Sequence, residues 1–273
     1  MKARQRGVAL ISVLLVMSLA LLIIGGVLRS HHLLLQSSGQ QVQQLHLRQL
    51  GVTGESWALA MLQKDSDPMA ERNASFDLDG AQIQIEIEDM AGRFNLNTLL
   101  IQGQTDQVTL NRWSRLLALL ELPEVRLEQV GALRELSQVR LLSGIDGHWL
   151  RRLEPWVALL PTDAALNINT APSLLLRSLD GIDAATADAL VQRRTPIPWS
   201  SVQAFTRDPL LAGAGVSSHG LGIDSRWSRI KVQVAHGPHR LRLATDVERD
   251  AKTGQINLLQ RRLLPSNPQE MTP

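Results

Sequence analysis

The sequence predicts an α+β protein: a long N-terminal helix packs on an antiparallel sheet, and a large all-α lobe is inserted into that sheet. Three observations predict this fold. An uncharged apolar run opens the chain, and helical periodicity continues beyond it. A period of two marks one strand at 81–88 and three more between 226 and 263. Helical patterns occupy most of the stretch 99–222 between them.

The apolar run extends over 21 residues, from Val8 to Leu28, without a charged side chain. At ~1.5 Å per residue such a helix is about 31 Å long, close to the thickness of a hydrocarbon core. Lys2, Arg4 and Arg6 precede it. Because basic residues stay on the cytoplasmic side, we expect a single-pass anchor with the rest of the chain across the membrane.

Three kinds of N-terminal segment compete for this stretch. A cleaved secretory signal has a shorter apolar region and a small-x-small site after it, which residues 28–33 do not offer. A plain signal anchor fits the hydropathy. The third kind of segment is indicated by Gly7, which lies between the basic leader and the apolar helix. This order resembles the type III signal of type IV pilins and type II secretion pseudopilins. The resemblance implies a prepilin peptidase cut between Gly7 and Val8 and N-methylation of Val8.

Apolar residues continue at helical intervals from Leu33 to Leu62, and the pattern ends near Pro68. We predict one long helix, half in lipid and half as the spine of the domain beyond the membrane. Gly39, Gly51 and Gly54 weaken this prediction, because glycine is a poor helix former.

Charge and cysteine content exclude several functions. The first 54 residues hold five Lys or Arg and no acid, so a formal charge of +2 leaves −3 on the remainder. A mildly acidic domain argues against a general polyanion binder. Without cysteine the chain has no disulfide and no zinc thiolate site. We interpret the pairs His31-His32 and His236/His239 as solvent-facing rather than as metal ligands.

The first predicted strand alternates cleanly, with Ile83, Ile85 and Ile87 on one face. Glu86 and Glu88 fall on the other face. We interpret them as the solvent-facing side of a half-buried strand rather than as an acid/base pair, because a period of two requires polar residues there.

Two pairs of similar segments occur in the predicted lobe or directly before it. The motif x-Asn-x-Asn-Thr occurs at 94–98 and again at 166–170, where we expect the amides to cap following helices. Helical patterns cover 112–120, 125–142 and 148–160. Tight turns with the sequence Gly-Ile-Asp, at 144–146 and 181–183, each lead into a helix, so the lobe contains two related helix–hairpin–helix units.

A lone strand is unstable, so the four strands are expected to form one antiparallel sheet covered by the spine helix. The predicted organisation follows: a leader at 1–7, an anchor helix at 8–28, the spine helix and first strand at 29–98, the all-α lobe at 99–222, a β-meander at 223–264 and a flexible tail at 265–273.

This organisation resembles the minor pseudopilin K of type II secretion, the GspK family, over nearly the whole chain. Four features carry the resemblance: residues 6–10 with the apolar run, Gly92 to Asn97, Leu166 to Pro172, and the closing strands. It implies a non-enzymatic subunit at the tip of a periplasmic pseudopilus, anchored in the inner membrane. The implied partners are the I- and J-type minor pseudopilins, the major pseudopilin, the prepilin peptidase and an exported cargo protein.

Two departures from the family pattern bear on function. Most pilin-like proteins place at the fifth mature position a Glu that pairs with the N-terminal amine of the preceding subunit, and here that position is Ser12. We interpret Ser12 as a determinant of the tip position; the alternative is that any small lipid-facing residue would serve. The acidic loop that the family links to calcium is missing after Glu124. We therefore predict no metal and no cofactor.

The main alternative from another class is an anchored DNA receptor. Residues 167–205 resemble the helix-hairpin-helix module of competence DNA receptors, which holds phosphate on free N–H groups at a helix N-terminus. In both turns here the second glycine is replaced by an acid, Asp146 or Asp183. Each carboxylate would cap its own helix and repel phosphate, so we predict no nucleic-acid partner. The sequence contains no hydrolase, metalloprotease or nucleotide-loop motif either.

Overall fold

One helix, α1 (Ala3–Lys64), runs without interruption from the N-terminal region to the folded domain. The structure is a computed structural model that describes residues 3–64, 73–99, 106–125, 133, 135–141 and 145–265, with the side chains of 3–12 and 32–38 left undescribed. The prediction of one long helix is confirmed over these 62 residues.

The C-terminal half of α1 packs on a five-stranded antiparallel sheet. In spatial order its strands are β1 (Asn73–Leu78), β2 (Ala81–Asp89), β7 (Trp227–His236), β8 (His239–Arg249) and β9 (Ile256–Leu264). All four predicted strands are present as β2, β7, β8 and β9.

The sheet has one strand that our sequence analysis missed, β1 (Asn73–Leu78), which pairs with β2. The sequence does contain a pattern that predicts this strand. Ala74, Phe76 and Leu78 alternate with polar residues and lead into Asp79-Gly80, a pair typical of tight hairpins. Both turn residues have positive φ, 50° and 75°, as such a turn requires.

Two of the glycines that weakened the helix prediction bring α1 close to the sheet. A Cβ at Gly54 would lie 2.8 Å from Val232 Cγ1 and 3.0 Å from Ile83 Cγ2, and one at Gly51 would lie 2.9 Å from Leu241 Cδ2. Glycine therefore lets the helix approach β2, β7 and β8 more closely than any larger residue would. The core between helix and sheet is aliphatic, built from Leu47, Leu50, Ala58, Leu62, Ile83, Ile85, Ile87, Ile230, Val232, Val234, Leu243 and Val247.

The lobe lies between β2 and β7 and has its own core of leucine and aromatic side chains. Its helices are α2 (Gln107–Leu119), α3 (Gly147–Leu153), α4 (Ser173–Arg177), α5 (Ala184–Arg194) and α6 (Val202–Thr206). Short 3-10 turns occur at Met90–Gly92, Leu96–Leu99, Leu136–Leu141, Glu154–Trp156 and Pro209–Leu211.

The lobe differs from the all-α prediction in two short parallel ladders. Strand β3 (Phe94–Asn95) pairs with β4 (Val157–Ala158), and β5 (Leu166–Asn167) pairs with β6 (Leu221–Gly222). Two residues are too few to show a period of two, so the sequence pattern could not reveal them.

One predicted helix of the lobe is shorter than expected, and another falls largely outside the described residues. In the stretch 125–142, residues 126–132, 134 and 142 are not described, and the described part contains the 3-10 turn Leu136–Leu141. The helix predicted at 148–160 ends at Leu153, because Pro155 cannot continue it, and the chain then enters β4.

Candidate assembly surfaces and the junction of sheet and lobe

The N-terminal part of α1 is the candidate membrane anchor. Among the described residues, one window, Val13–His31, is long and apolar enough to span a membrane, with a mean hydropathy of 2.3. No part of this window is buried by the rest of the chain. Gly7, Val8 and Ser12 lie in α1, but outside the residues whose side chains the structure describes.

Beyond the anchor, the face of α1 that points away from the sheet keeps aliphatic side chains in solvent. Val42, Leu45 and Val52 are exposed there, whereas Leu47 and Leu50 point into the core. A helix that already buries one face against its own sheet is expected to be polar on the other. These exposed aliphatic residues therefore mark a surface suited to a neighbouring subunit.

Glu55 of α1 is a second residue that our sequence analysis did not single out. Its side chain is 1% exposed, and Oε1 accepts a hydrogen bond from Nη2 of Arg261 in β9 at 2.7 Å. That bond raises the pKa of the Arg261 guanidinium above its usual value. Glu55 Oε2 is buried and has no hydrogen-bond partner among the described residues.

Asp89, at the end of β2, joins the sheet to the lobe. Its Oδ2 accepts hydrogen bonds from Asn167 Nδ2 at 2.8 Å, Thr170 Oγ1 at 2.6 Å and Ser225 Oγ at 2.7 Å. Its Oδ1 accepts from the backbone N–H of Ala91 at 2.9 Å. One carboxylate therefore holds together three parts of the chain: the end of β2, the middle of the lobe and the residues directly before β7.

Strand alternation held a signal for Asp89 that we did not use. Continuing the series Ile83, Ile85, Ile87 by two residues reaches Asp89, which places a carboxylate on the buried face of β2. A buried carboxylate requires hydrogen-bond donors. The pattern thus predicts that some other segment covers this end of the strand with polar groups, without saying which.

The two Asn-x-Asn motifs do not cap α-helices as predicted, although Asn95 accepts a backbone N–H inside the 3-10 turn Leu96–Leu99 that follows it. In each, the first Asn accepts a hydrogen bond from the backbone N–H of the second, at 3.1 Å for Asn95 and 2.9 Å for Asn167. The second Asn then binds both backbone groups of a distant residue: Asn97 binds Leu133, and Asn169 binds Trp199. Helix α4 instead begins after Pro172 without a side-chain cap.

These bonds explain why the motif occurs twice. Each motif starts in a two-residue parallel ladder, makes an Asx-type turn and holds a remote loop through a pair of amide hydrogen bonds. An Asn side chain offers one acceptor and one donor group, which match the N–H and C=O of a single residue. The motif is therefore a local clamp within the lobe, used at two places.

The acidic residues of the two Gly-Ile-Asp turns do cap helices. Asp146 accepts the backbone N–H of Trp149, and Asp183 that of Thr186, each at 2.7 Å. These hydrogen bonds hold the pKa of each carboxyl below its usual value. The N–H groups that would face a phosphate in a DNA-binding hairpin are occupied by the protein's own carboxylates.

The pair Glu86 and Glu88 faces cations. Lys231 Nζ lies 3.2 Å from Glu86 Oε1 and 3.1 Å from Glu88 Oε2, and Glu88 also binds Arg93. Burial raises the pKa of Glu88, but Arg93 and Lys231 outweigh it, so that its pKa lies below the usual value. Glu88 is therefore held ionised, and both carboxylates lie beside basic side chains on this face of β2.

Two histidine predictions need correction. His236 and His239 were expected to face solvent, but both are half-buried. His236 also packs edge-on against His46 of α1, with ring centroids 5.6 Å apart. His46 was not considered because it is remote in sequence. In the described part of the chain, no group of three or more His, Asp or Glu side chains is placed to hold a metal ion.

The chain is similar to known proteins along most of its length. The family model for type II secretion system (T2SS), protein K matches residues 166–224. Type II secretion system protein K of Pseudomonas aeruginosa is 28% identical over 96% of this chain and 93% of that protein. The protein of the same name from Pectobacterium carotovorum subsp. carotovorum is 26% identical over 87% and 90%. That of Klebsiella pneumoniae is 25% identical over 77% and 82%.

A chain in the crystal structure of the GspK-GspI-GspJ complex from the enterotoxigenic Escherichia coli type 2 secretion system has the same fold. It superposes with a TM-score of 0.70 and 21% identity, over 84% of this chain and 99% of that one. An apolar N-terminal helix, a sheet packed on its second half and a lobe inserted between two paired strands define a pilin-like fold with a candidate membrane anchor. Among proteins with this fold, the chain is similar to the type II secretion system protein K proteins along most of its length. None of the relatives named here is a DNA receptor, so that alternative has no support.

Proposed function

We propose that this chain is a minor pseudopilin of a type II protein secretion system, acting by assembly rather than catalysis at the tip of a periplasmic pseudopilus. The observation that carries the proposal is α1, which continues without a break from a fully exposed apolar window into the core of the folded domain. One rigid element thus connects a membrane segment to the sheet and lobe.

The proposed partners are the I- and J-type minor pseudopilins and the major pseudopilin, with an exported cargo protein as a further partner and no nucleic acid. The solved complex of GspK with GspI and GspJ supports the first of these by family likeness. The exposed aliphatic residues of α1 beyond the anchor offer the neighbouring subunits an apolar surface.

The leader adds processing to the proposal. A prepilin peptidase would cut between Gly7 and Val8 in the cytoplasm, and Val8 would be N-methylated. The basic residues before Gly7 support this orientation, with the domain beyond the membrane in the periplasm. Ser12, at the fifth mature position, needs no partner amine from a subunit ahead of it, which suits a subunit at the tip.

The lobe is proposed to contain two related helix–hairpin–helix units that serve shape and assembly rather than DNA binding. Asp146 and Asp183 begin α3 and α5 in the same way, and the two Asn-x-Asn clamps repeat the same hydrogen bonds. A bulky lobe is difficult to repeat along a thin filament and is readily placed at its end.

The intact mass of the protein extracted from membranes tests the proposal. We expect a chain that begins at Val8 with one added methyl group. Gly7→Val should leave the leader in place, whereas Ala3→Val, four residues away in the same leader, should leave processing unchanged. A mature protein that retains Met1 or Lys2 would exclude the pseudopilin assignment.

A further inference from the structure

Strand β9 forms one free edge of the sheet and exposes leucine side chains along it. Among the described residues, no strand pairs with its outer side. Leu258, Leu259 and Leu263 are 47%, 52% and 55% exposed. A long edge strand with exposed aliphatic side chains is a template for pairing with another chain. We call residues 258–263 the β9 edge.

The opposite edge of the same sheet is protected against pairing with another chain. Strand β1 is six residues long, and its exposed positions are the polar residues Asn73, Ser75 and Asp77. Its apolar residues Ala74, Phe76 and Leu78 are half-buried. The exposure of leucine is therefore specific to the β9 edge and is not a general property of this sheet.

The leucines of the β9 edge lie on two sides of the strand. Leu258 and Leu263 pair with Val247 and Leu243, which belong to the core under α1, so they share the α1 face of the sheet. Leu259 has no partner in the register, because the ladder shifts there, and it projects from the resulting bulge.

The apolar surface continues from the strand onto the helix. Arg261 lies between Leu258 and Leu263 on the α1 face and reaches Glu55. Val52, three residues before Glu55, lies on the same flank of α1 and is exposed. The surface therefore adjoins the aliphatic face of α1 that the proposed function assigns to subunit contacts.

Charge indicates the chemistry of the missing neighbour. Strand β9 carries Arg261 and Arg262 and no acid, and Arg242 flanks it in β8. Asp246 is shared between Arg262, at 3.1 Å, and Arg229, at 2.6 Å. The Nε groups of Arg242 and Arg262 are buried without a hydrogen-bond partner in the described chain. Three arginines, at 242, 261 and 262, thus share two carboxylates, Glu55 and Asp246, so positive charge exceeds negative charge at this edge.

We propose that the β9 edge binds an extended segment of another minor pseudopilin, with aliphatic and acidic residues, as a sixth strand of the sheet. This inference rests on the proposed function and adds a docking site to it. Backbone hydrogen bonds along the edge would supply affinity, and the leucines and arginines would select the side chains. A second copy of this chain fits poorly, because it would bring a second pair of arginines to the same edge.

Photo-crosslinking in the full chain, in membranes that contain the other minor pseudopilins, tests the site. A photo-reactive amino acid at 258 or 263 should crosslink to one extended peptide of a minor pseudopilin, rich in aliphatic residues and Asp or Glu. The same amino acid at Ile197 or Leu210, exposed aliphatic positions of the lobe, is the matched control. No product, a product with a second copy, a product with residues 266–273 of the same chain, or equal products at the control positions would each overturn the site.

Charge variants test the acidic character of the partner without disturbing the core. Leu258→Asp with Leu263→Asp should lower the yield of a crosslink placed at 259 about tenfold, since both apolar contacts are lost and like charges meet. Leu258→Lys with Leu263→Lys should lose less, and Ile197→Asp with Leu210→Asp should lose nothing. Equal losses for the Asp and Lys variants would overturn the acidic assignment.

A parallel readout separates this inference from the function on which it rests. Crosslinkers at Val42 and Leu45, on the exposed face of α1, should capture other minor pseudopilins if the proposed function holds. Products there without any at the β9 edge would overturn the sixth strand alone. An absence of products at both places would overturn both.

Discussion

Ser225 Oγ lies 2.7 Å from Asp89 Oδ2, although 136 residues separate the two in the chain. Ser225 closely precedes β7, the strand that pairs with β2, and Asp89 ends β2. The same carboxylate oxygen binds Asn167 and Thr170 of the lobe. Asp89 is therefore a buried hydrogen-bonding centre between the sheet and the lobe, and its contribution to stability can be measured.

Removing the carboxylate should destabilise the fold strongly. Asp89→Ala leaves three side-chain donors without their acceptor, and we expect the free energy of unfolding to fall by about 3 kcal/mol. Urea unfolding of the detergent-solubilised full chain, followed by tryptophan fluorescence, measures this. Asp77→Ala, on an exposed position of β1, should change stability by no more than about 0.5 kcal/mol. Equal effects of the two substitutions would contradict the role of Asp89.

The close approach of α1 to the sheet predicts opposite outcomes at two glycines. Gly54→Val places methyl groups where Val232 and Ile83 already lie, so we expect a loss of about 2 kcal/mol from overpacking. Gly39→Val has no atom within 4 Å of its Cβ and should be neutral or slightly stabilising in a helix. Thermal unfolding of both variants is the measurement, and a stable Gly54→Val protein would show that the helix does not press on the sheet.

The capping carboxylates predict a pH dependence. The pKa values of Asp146 and Asp183 lie below those of the unfolded chain, because each ionised group accepts a backbone hydrogen bond. Their contribution to stability is therefore fully present above the unfolded pKa, near about pH 4, and is lost as the pH falls through the folded values.

The measurement for this dependence is the unfolding midpoint between pH 6 and pH 3. Asp183→Asn keeps a neutral cap, so it should reduce the fall in stability below about pH 4 while changing little at pH 6. Asp79→Asn, in the β1–β2 turn, is the control and should retain the full dependence. A parallel curve for Asp183→Asn would show that the cap does not titrate with folding.

The tip assignment predicts a particular crosslinking pattern. The chain has no cysteine, so one cysteine placed beside Ser12, such as Leu15→Cys, reports only its own neighbours. We expect disulfide products with other minor pseudopilins and no ladder of self-crosslinked subunits. The major pseudopilin with a cysteine at the matching position should give a ladder under the same oxidation. A regular ladder from this chain would place it along the shaft.

Periodicity in the sequence predicted the regular elements of the fold, in which buried residues recur at fixed intervals. The alternation of Ile83, Ile85 and Ile87 located β2, and the apolar stripe of α1 located the spine. Asp146 and Asp183 were also identified as caps, because a short acid before a helix has one strong local use. In each case the determining interaction lies within a few residues along the chain.

Long-range contacts account for what could not be predicted. The amides of Asn97 and Asn169 looked like local caps, but their partners Leu133 and Trp199 lie 36 and 30 residues away. Asp89 and Glu55 likewise depend on distant donors. A sequence shows that a buried polar side chain needs a partner, but the choice among many possible partners is made by packing of the whole lobe.

The pairing of β2 with β7 has a consequence for how such proteins can vary. Asp89 lies opposite Ser228 in the ladder, so the chain leaves the sheet and returns to it at neighbouring points. The entropy of closing a loop rises by only about 0.6 kcal/mol for each doubling of its length. Lobes of different size, or a simple hairpin, can therefore be exchanged at this junction while the sheet keeps its register. The helix and sheet are then the constant part of such a protein, and the lobe is the part that can vary.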